Sequence, residues 1–293
     1  MSGGIDKLIV MSNTIEKVFL HLAREEGFAR GGYGNVIDLR KSRHNLPIIL
    51  HCDGRRNGMH KIEMVGVAHL GLRRTRKALK MILGDLSAAR IYRIDLCTDI
   101  LGISVWDLAK ICSINRVQNY KIYRSRGSVS CYLQCSAHKR IVLYDKARQL
   151  KARDNVSGSF LGANDELARV ELQFTGGDVP FKKLRDLHRY AEIDLLPGME
   201  FRRLIRLHSG AKPLHRLAFA GLEHSVKRYG LHATRKRFSP SEWAYVVRMF
   251  LPMIDDAPLI DIRQRLKRSI EDWLNDRIRF PRPLFRGRKV SDE

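Results

Sequence analysis

The sequence predicts an α+β fold, with antiparallel sheets and packed helices in the first two-thirds and a helical C-terminal region. Segments that alternate apolar and polar residues, as strands do, dominate up to about residue 178, and segments with a helical period follow. Hydrophobic residues make up 44% of the 293 positions, which is enough for a packed core. Strands that precede the helices, rather than alternating with them, favour antiparallel pairing.

Most predicted elements of the first two-thirds are strands. Residues 27–34 are rich in glycine, which supplies the backbone freedom of a loop. Residues 125–128 form a turn that joins two strands as a hairpin, and Ser104 is expected to cap a short helix through Ile111. In chain order the strands are predicted at 5–11, 36–40, 46–52, 61–70, 91–99, 117–123, 129–134, 139–146 and 167–174, with helices at 14–24 and 73–89.

The last third of the chain is predicted to be helical. Residues 239–242 (Ser-Pro-Ser-Glu) are typical of a helix N terminus, with proline in the first turn. Helices are predicted at 181–190, 201–207, 214–229, 240–253 and 259–278. We therefore divide the chain into an α/β core of residues 1–178, with two similar halves of about 1–90 and 91–178, and a helical region of residues 179–293.

The chain is strongly basic, with 54 Lys and Arg against 31 Asp and Glu and a formal net charge of +23. This surplus repels itself on a compact chain, and a polyanion relieves the repulsion while it releases counterions. A basic surface that serves solubility alone is the alternative. The sequence has no signal peptide, no lipidation motif and no apolar run of about 18 residues, so we predict a cytoplasmic protein without a membrane partner. Five cysteines without a regular framework fit a reducing compartment.

Three predicted strands place charged or ionisable residues at alternate positions. Because side chains alternate between the two faces of a sheet, each of these strands has one polar face and one apolar face. The residues that share a face are Asp95, Cys97 and Asp99 on the first strand, Val142, Tyr144 and Lys146 on the second, and Arg169, Glu171 and Gln173 on the third.

Such a face has the groups that metal-assisted phosphoryl transfer needs. Breaking a phosphodiester requires charge neutralisation at its oxygens and an in-line nucleophile. Carboxylates suit Mg²⁺ or Mn²⁺. A tyrosine phenol, with a pKa of about 10, needs a nearby cation such as Lys146 to favour the phenolate. Spacing alone leaves one alternative open, which is a ladder of salt bridges across the strands.

Three short motifs in this order resemble a known family. They are Arg93-Ile94-Asp95-Leu96 followed by Asp99, then Leu143-Tyr144-Asp145-Lys146, then Arg169-Val170-Glu171-Leu172. They resemble the initiators of rolling-circle replication, of the plasmid Rep_trans type and the filamentous-phage gene II protein type. The opening strand Ile5-Asp6-Lys7-Leu8-Ile9-Val10 resembles that family as well, and the resemblance covers roughly residues 5–210.

The resemblance implies a DNA replication initiator, an endonuclease that nicks and rejoins one strand at an origin. Tyr144 would be the nucleophile that becomes linked to the 5′ phosphate. Asp95 and Glu171 would bind Mg²⁺ or Mn²⁺, with Asp99 as a further metal candidate, and Lys146 would assist. Origin DNA, supercoiled or single-stranded, is the implied partner, and a host helicase and a second copy of the chain are candidate partners.

One feature departs from many rolling-circle and relaxase enzymes, which bind their metal with a His-x-His pair. No such pair occurs in the sequence, and this favours a carboxylate-dependent branch. Tyrosine is also a common strand residue, so the tyrosines on neighbouring predicted strands are expected to pack, although they remain alternative nucleophiles. They are Tyr120, Tyr123 and Tyr132.

Basic clusters form the second signal for nucleic acid. Residues 202–237 contain ten Lys and Arg but only one acid, Glu223, which predicts that the helical region tracks a phosphate backbone. A solvated helix face is the simpler alternative. The predicted nucleic-acid-binding residues are Arg73, Arg74, Arg76, Lys77 and Lys80 in a first cluster and Arg202, Arg203, Arg206, Lys227, Arg228, Arg235, Lys236 and Arg237 in a second.

Two other functions compete with the tyrosine-dependent strand transferase. A non-catalytic nucleic-acid-binding protein, such as a repressor or an inactivated initiator, would keep the basic clusters without needing Tyr144, Asp95 and Glu171 to converge. An HNH-type nuclease around His44, His51 and His60 lacks the flanking pattern of a second ligand.

Overall fold

The computed structural model describes residues 3–16, 29–30, 36–39, 48–51, 59–114, 117–125, 128–153, 166–202, 211–251 and 262–277. Its strands are β1 (Gly3–Ser12), β2 (Ala29–Arg30), β3 (Val36–Asp38), β4 (Ile48–His51), β5 (His60–Val65), β6 (Arg90–Leu101), β7 (Cys112–Ile114), β8 (Asn119–Ser125), β9 (Ser128–Gln134), β10 (Lys139–Asp145), β11 (Leu167–Thr175) and β12 (Met199–Phe201). Its α-helices are α1 (Gly71–Leu83), α2 (Val105–Ile111), α3 (Lys146–Arg153), α4 (Pro213–Arg235), α5 (Pro240–Phe250) and α6 (Ile262–Leu274), and 3₁₀ helices span Val67–His69, Gly176–Asp178 and Leu184–Ala191.

Ten strands form one antiparallel sheet in the order β2-β3-β4-β5-β1-β6-β11-β10-β9-β8. A second sheet pairs β12 with β7. The predicted α+β class is confirmed, because a large antiparallel sheet precedes a mostly helical C-terminal part. The first strand is central rather than peripheral, since β1 pairs β5 on one side and β6 on the other.

The hydrophobic core lies on one face of the central strands. Leu8, Ile94, Leu96 and Leu172 are fully buried there, and α6 packs across β1 and β6. The indole Nε1 of Trp273 in α6 donates a hydrogen bond of 2.9 Å to the Val67 carbonyl oxygen. Burial of these apolar residues leaves the opposite face of the same strands for polar side chains.

The helices α4 and α5 form a smaller core of their own. Leu222, Val226 and Leu231 of α4 pack against Trp243 and Phe250 of α5. Ser239 caps α5, because its Oγ accepts the Glu242 amide while the Glu242 carboxylate accepts the Ser239 amide. This confirms the helix start predicted at residues 239–242.

Several predicted boundaries are wrong for local reasons. The helix predicted to run to residue 89 ends at Leu83, since Gly84 has a φ of 67°. The strand predicted over 61–70 ends at Val65, before Gly66 with a φ of 71°. A 3₁₀ helix replaces most of the helix predicted at 181–190. Residues 14–16 are not helical, and 17–24 lie outside the described residues. The helix predicted from residue 201 begins instead as the end of β12, and 203–207 lie outside as well.

No helix in the described ranges is both long enough and apolar enough to cross a lipid bilayer.

Candidate active site

The predicted catalytic residues of the second half share one face of the sheet. Arg169 lies opposite Asp99 on β6 and opposite Tyr144 on β10. Glu171 is two residues from Arg169 on β11, and Asp95 is four residues from Asp99 on β6, so both point to the same side. The structure therefore brings Asp95, Asp99, Tyr144 and Glu171 onto one polar face.

Tyr144 is bonded to the carboxylate of Glu171. Its hydroxyl donates a hydrogen bond of 3.0 Å to Glu171 Oε2, and Gln173 Nε2 donates to Glu171 Oε1. Gln173 in turn accepts a hydrogen bond from Arg140 Nε. Burial raises the pKa of the Tyr144 phenol above its ordinary value, the Arg169 charge lowers it, and the Glu171 charge raises it further. The phenol is therefore protonated at neutral pH, and nearby positive charge is needed to favour the phenolate.

Asp95 is almost fully buried and is paired with an arginine of its own strand. Its two oxygens accept hydrogen bonds of 2.8 and 2.7 Å from Nε and Nη2 of Arg93. Burial raises the pKa of Asp95, Arg93 lowers it, and the charge of Glu171 raises it again, to about 6. A carboxyl group with this pKa changes charge near neutrality. The register, which pairs Glu171 with Cys97 and Gln173 with Asp95, puts the two acids at diagonal positions on one face.

Asp99 belongs to a buried ion pair. The Arg169 guanidinium donates hydrogen bonds of 2.5 and 2.8 Å to the two Asp99 oxygens, and both side chains are fully buried. A third bond, of 3.0 Å, joins Arg169 Nη1 to Asp6 Oδ1. Asp6 reaches this face because the register between β1 and β6 shifts between Ile5 and Lys7, as in a β-bulge. Arginines bond both oxygens of Asp99 and both oxygens of Asp95, but the Arg169–Asp99 pair has no exposed side chain, whereas Arg93 is 21% exposed and so is accessible to exchange its place with a cation. We therefore keep Asp95 and leave Asp99 out of the metal proposal.

Lys146 lies next to Tyr144, but on a helix. The strand predicted over 139–146 ends at Asp145, whose side chain accepts the Arg148 amide at 2.9 Å and so caps α3. Lys146 is 6% exposed, with its Nζ 6.0 Å from the Tyr144 ring centroid and 2.7 Å from Gln149 Oε1. Burial and the Arg169 charge lower the pKa of Lys146.

The chemistry of this face fits a divalent cation with few protein ligands. Mg²⁺ is commonly bound by one or two carboxylates and completes its shell with water and phosphate oxygens. Asp95 and Glu171 are two carboxylates of this kind on one face. Within the described ranges, no three or more His, Cys, Asp and Glu side chains form a metal-binding group.

The first basic cluster covers the outer side of α1. Ala78, Leu79, Ile82 and Leu83 turn inward and are buried, and the helix has no acidic residue between its ends. Its exposed cations are Arg73, Arg74, Arg76, Lys77 and Lys80. They form an electropositive surface of five cations.

The second basic cluster is only partly available to a ligand. Arg202 donates a hydrogen bond of 3.0 Å to Glu200 Oε2 and one of 3.1 Å to the Leu251 carbonyl oxygen, so it has a structural role. Lys227 pairs with Glu223 along α4 at 2.7 Å but remains 65% exposed. Arg235 is half-buried, while Arg228, Lys236 and Arg237 are exposed. Arg203 and Arg206 lie outside the described residues.

Several members of this face are absent from the predicted site. Arg169 belongs to the predicted alternation, but its ion pairs with Asp6 and Asp99 do not follow from that pattern. Arg93 and Gln173 bond directly to the predicted metal ligands. The signal for Arg93 was its spacing of two residues from Asp95, which puts both side chains on one face.

The structure gives less support to Tyr120 as an alternative nucleophile and to the histidines of an HNH-type site. Tyr120 is half-buried and its ring lies 5.2 Å from that of His232, so it packs in the interior. His51 and His60 lie at the ends of β4 and β5, and His51 Nε2 is 3.7 Å from Glu63. His44 lies outside the described residues.

A scan of the sequence against protein-family models gave no match, and a search among curated proteins gave none either.

Proposed function

We propose that this chain is a tyrosine-dependent DNA strand transferase that nicks and rejoins one strand at a replication origin. The observation that carries the proposal is the 3.0 Å hydrogen bond from the Tyr144 hydroxyl to Glu171, on a buried polar face that also holds Asp95 and Arg169. A tyrosine that serves packing alone does not need a buried carboxylate partner. A nucleophile needs an acceptor for its proton and positive charge for the phosphate.

In the proposed reaction the Tyr144 oxygen attacks a backbone phosphorus. The phosphorus–O3′ bond breaks, the 5′ phosphate stays on the tyrosine, and the released 3′ oxygen takes a proton from solvent. The phenolic proton leaves towards Glu171 Oε2, which it already contacts. Rejoining reverses these steps, so the strand is closed without an external energy source.

Asp95 and Glu171 are the residues that would hold Mg²⁺ or Mn²⁺. A bound divalent cation supplies positive charge to the phosphate oxygens and offsets the carboxylate charge beside Tyr144. Lys146 contributes from the side of α3, where its buried Nζ adds positive charge near the tyrosine ring. The exposed cations of α1 and α4 would bind the DNA backbone around this centre.

The test is a covalent adduct. Wild-type protein, Mg²⁺ or Mn²⁺ and supercoiled or single-stranded origin DNA are incubated, and the protein–DNA band is followed on a denaturing gel. Tyr144→Phe removes one oxygen and should abolish the adduct while it keeps fold and DNA binding. Tyr92→Phe, at an exposed tyrosine of β6, is the matched control and should behave as wild type.

Three further variants divide the roles. Asp95→Asn and Glu171→Gln should abolish nicking, and excess Mn²⁺ should restore part of it in one of them if the loss is in metal affinity. Direct Mn²⁺ binding, measured by electron paramagnetic resonance, should weaken in both. Lys146→Ala should slow cleavage without ending it, because the side chain stabilises charge and forms no bond. If Tyr144→Phe still forms the adduct, the nucleophile is another tyrosine, with Tyr132 and Tyr123 next.

A non-catalytic nucleic-acid-binding protein is the second candidate. The observation that favours it is the set of ion pairs on this face, since Arg169 with Asp99 and Arg93 with Asp95 form a salt-bridge arrangement that needs no chemistry. This candidate predicts salt-dependent DNA binding with no adduct on any supercoiled or single-stranded substrate. Wild-type protein that binds DNA but never forms the covalent band would replace the first proposal with this one.

A further inference from the structure

A groove on the polar face lies at the β8 edge of the sheet, on the same face as the candidate active site. Its volume is about 390 Å³, in the range of pockets that hold small organic ligands. Six side chains line it, namely Asn119, Lys121, Tyr123, Tyr132, Gln134 and Arg140. They comprise two cations, two aromatic rings and two amides, and they include no acid.

Strand register places the groove in line with Tyr144. Tyr123 lies opposite Ser130, and Ser130 opposite Tyr144, so the two tyrosines are two strands apart in one row of the sheet. Neighbouring strands are about 4.8 Å apart, which puts their backbones at about 10 Å. At about 3.4 Å per nucleotide, as along one strand of a duplex, this corresponds to about three nucleotides.

The two groove tyrosines are arranged to present aromatic surface. The ring centroids of Tyr123 and Tyr132 are 5.2 Å apart with the planes at 88°, so the edge of one ring supports the face of the other. Tyr123 is 54% exposed. An exposed ring held by a second ring keeps an open face for a flat partner at low entropic cost.

The groove is also joined to the candidate nucleophile by hydrogen bonds. Arg140, at the groove wall, donates to Gln173, and Gln173 donates to Glu171, which accepts the Tyr144 hydroxyl. A phosphate bound to Arg140 would therefore be connected to Tyr144 by hydrogen bonds through Gln173 and Glu171. Cations for phosphates, aromatic rings for bases and amides for base edges are the combination that single-stranded nucleic acid requires.

We infer that this groove binds a single-stranded DNA segment beside the cleavage position, with a base stacked on the Tyr123–Tyr132 pair and phosphates at Lys121 and Arg140. The inference rests on the proposed function for the identity of the strand. It adds the site that holds the strand next to Tyr144 and explains why the lining contains no acid. Because stacking needs an open base face, a duplex does not enter the groove.

The binding test uses the full-length chain and a fluorescein-labelled oligo-dT of twelve nucleotides, with affinity read by anisotropy. Tyr123→Ala is expected to weaken binding by about 5- to 150-fold, the loss of one stacked base. Tyr123→Phe keeps the ring and should bind within about twofold of wild type. Tyr92→Ala removes an exposed tyrosine of β6 that does not line the groove and should leave affinity unchanged. A Tyr123→Ala, Tyr132→Ala double variant with wild-type affinity for oligo-dT overturns the inference, as does an equal loss of affinity for a duplex of the same length.

A crosslinking measurement on the wild-type protein tests the groove without relying on variants, which could lose affinity because they fold poorly. An oligonucleotide with 5-iododeoxyuridine is irradiated in complex with the wild type, and the crosslinked peptide is identified by mass spectrometry. Attachment at Tyr123 or Tyr132 is expected, and attachment confined to peptides outside β8, β9 and β10 overturns the groove.

The two proposals fail separately. Tyr144→Phe should bind oligo-dT as wild type does. If wild-type protein binds and crosslinks in the groove but never forms the covalent adduct, the groove is supported and strand transfer is refuted. If wild-type protein forms the adduct while the groove variants bind and cleave normally, strand transfer is supported and the groove is refuted.

Discussion

Outward from the centre of the sheet, β1 is followed by β5, β4, β3 and β2 on one side, and β6 is followed by β11, β10, β9 and β8 on the other. The two halves, β1–β5 and β6–β11, thus repeat one strand order about the β1–β6 pair. The same backbone arrangement has different charges on its polar face. The first half surrounds Glu63 with cations, and the second gathers several buried acids with a tyrosine.

In the first half the cluster is centred on Glu63. Its carboxylate pairs with Lys7, with Lys61 at 3.0 Å, and lies 3.7 Å from His51. Burial opposes ionisation of Glu63, but the hydrogen bonds from the two lysines outweigh it and lower its pKa to about 2. In the second half burial prevails and raises the pKa of Asp95 to about 6. The comparison suggests that the first half uses its charge for structure, whereas the second half keeps charge that folding alone does not favour.

The largest expected effect on stability tests the ion pair at the centre of the second half. Arg169→Met leaves Asp99 buried without its guanidinium, and breaking a buried pair in this way costs about 3–5 kcal/mol of the free energy of unfolding. Urea denaturation followed by circular dichroism measures it. Arg90→Met, at an exposed arginine of β6, is the matched control and should cost less than about 0.5 kcal/mol. A loss below about 1 kcal/mol for Arg169→Met would mean that water reaches the pair.

The second prediction concerns pH. A carboxyl whose folded pKa is raised favours folding while protonated, so the Asp95 contribution is full below about pH 4 and is lost as pH rises through about 6. A shift of about two pKa units corresponds to about 3 kcal/mol between pH 4 and pH 7. Asp95→Asn should flatten this part of the curve of unfolding free energy against pH.

The lowered pKa of Glu63 makes the free energy of unfolding change with pH in the opposite direction, and in a lower pH range. Its folded pKa is lowered from 4.5 to about 2, so its contribution is full above about pH 4.5 and is lost as pH falls towards 2. Glu63→Gln should flatten the curve only below pH 4.5. If Asp95→Asn leaves the fall between pH 4 and pH 7 unchanged, another group titrates there and the contrast between the halves weakens.

The third prediction compares the surfaces of the two halves. The helix α1 follows the last strand of the first half, and the segment 182–191 follows the last strand of the second, with Asp186 among its cations. Changing four exposed cations of α1 to glutamine should reduce the log–log salt slope of duplex DNA binding by up to about 3.6, at about 0.9 per phosphate contact. The variant is Arg73→Gln, Arg76→Gln, Lys77→Gln and Lys80→Gln, and its matched control is Lys182→Gln, Lys183→Gln, Arg185→Gln and Arg189→Gln. Equal slopes for both variants would indicate that neither surface is selective for DNA.

Local patterns predicted the faces of the second half but not the partners on them. Alternation around Asp95 and Glu171 fixes which side each residue points to, because the period of two is a property of the strand itself. The Arg169–Asp99 pair depends on the register of β11 with β6, between residues 70 positions apart, and no local pattern contains it. The shift that brings Asp6 to Arg169 is hidden for the same reason. The alternation extends the predicted strand to Lys146, whereas Asp145, a good N-cap residue, indicates the helix start that the structure has.

The smallest expected effect is in the first half, at Lys61. Its side chain is 34% exposed and its Nζ is 3.0 Å from Glu63 Oε2, while Lys7 remains as a second cation for the same carboxylate. Exposed pairs of this kind contribute about 0–1 kcal/mol, so Lys61→Met should cost less than about 1 kcal/mol.

Salt and a double-mutant cycle make this last measurement decisive. In 1 M NaCl the Debye length is about 3 Å, so the difference between wild type and Lys61→Met should shrink towards zero if it is electrostatic. The cycle with Glu63→Gln isolates the pairwise coupling free energy from effects on the neighbours. A coupling above about 2 kcal/mol that persists in 1 M NaCl would show that the Glu63 cluster is as enclosed as the Arg169–Asp99 pair. The two halves would then differ in which charges they bury rather than in whether they bury them.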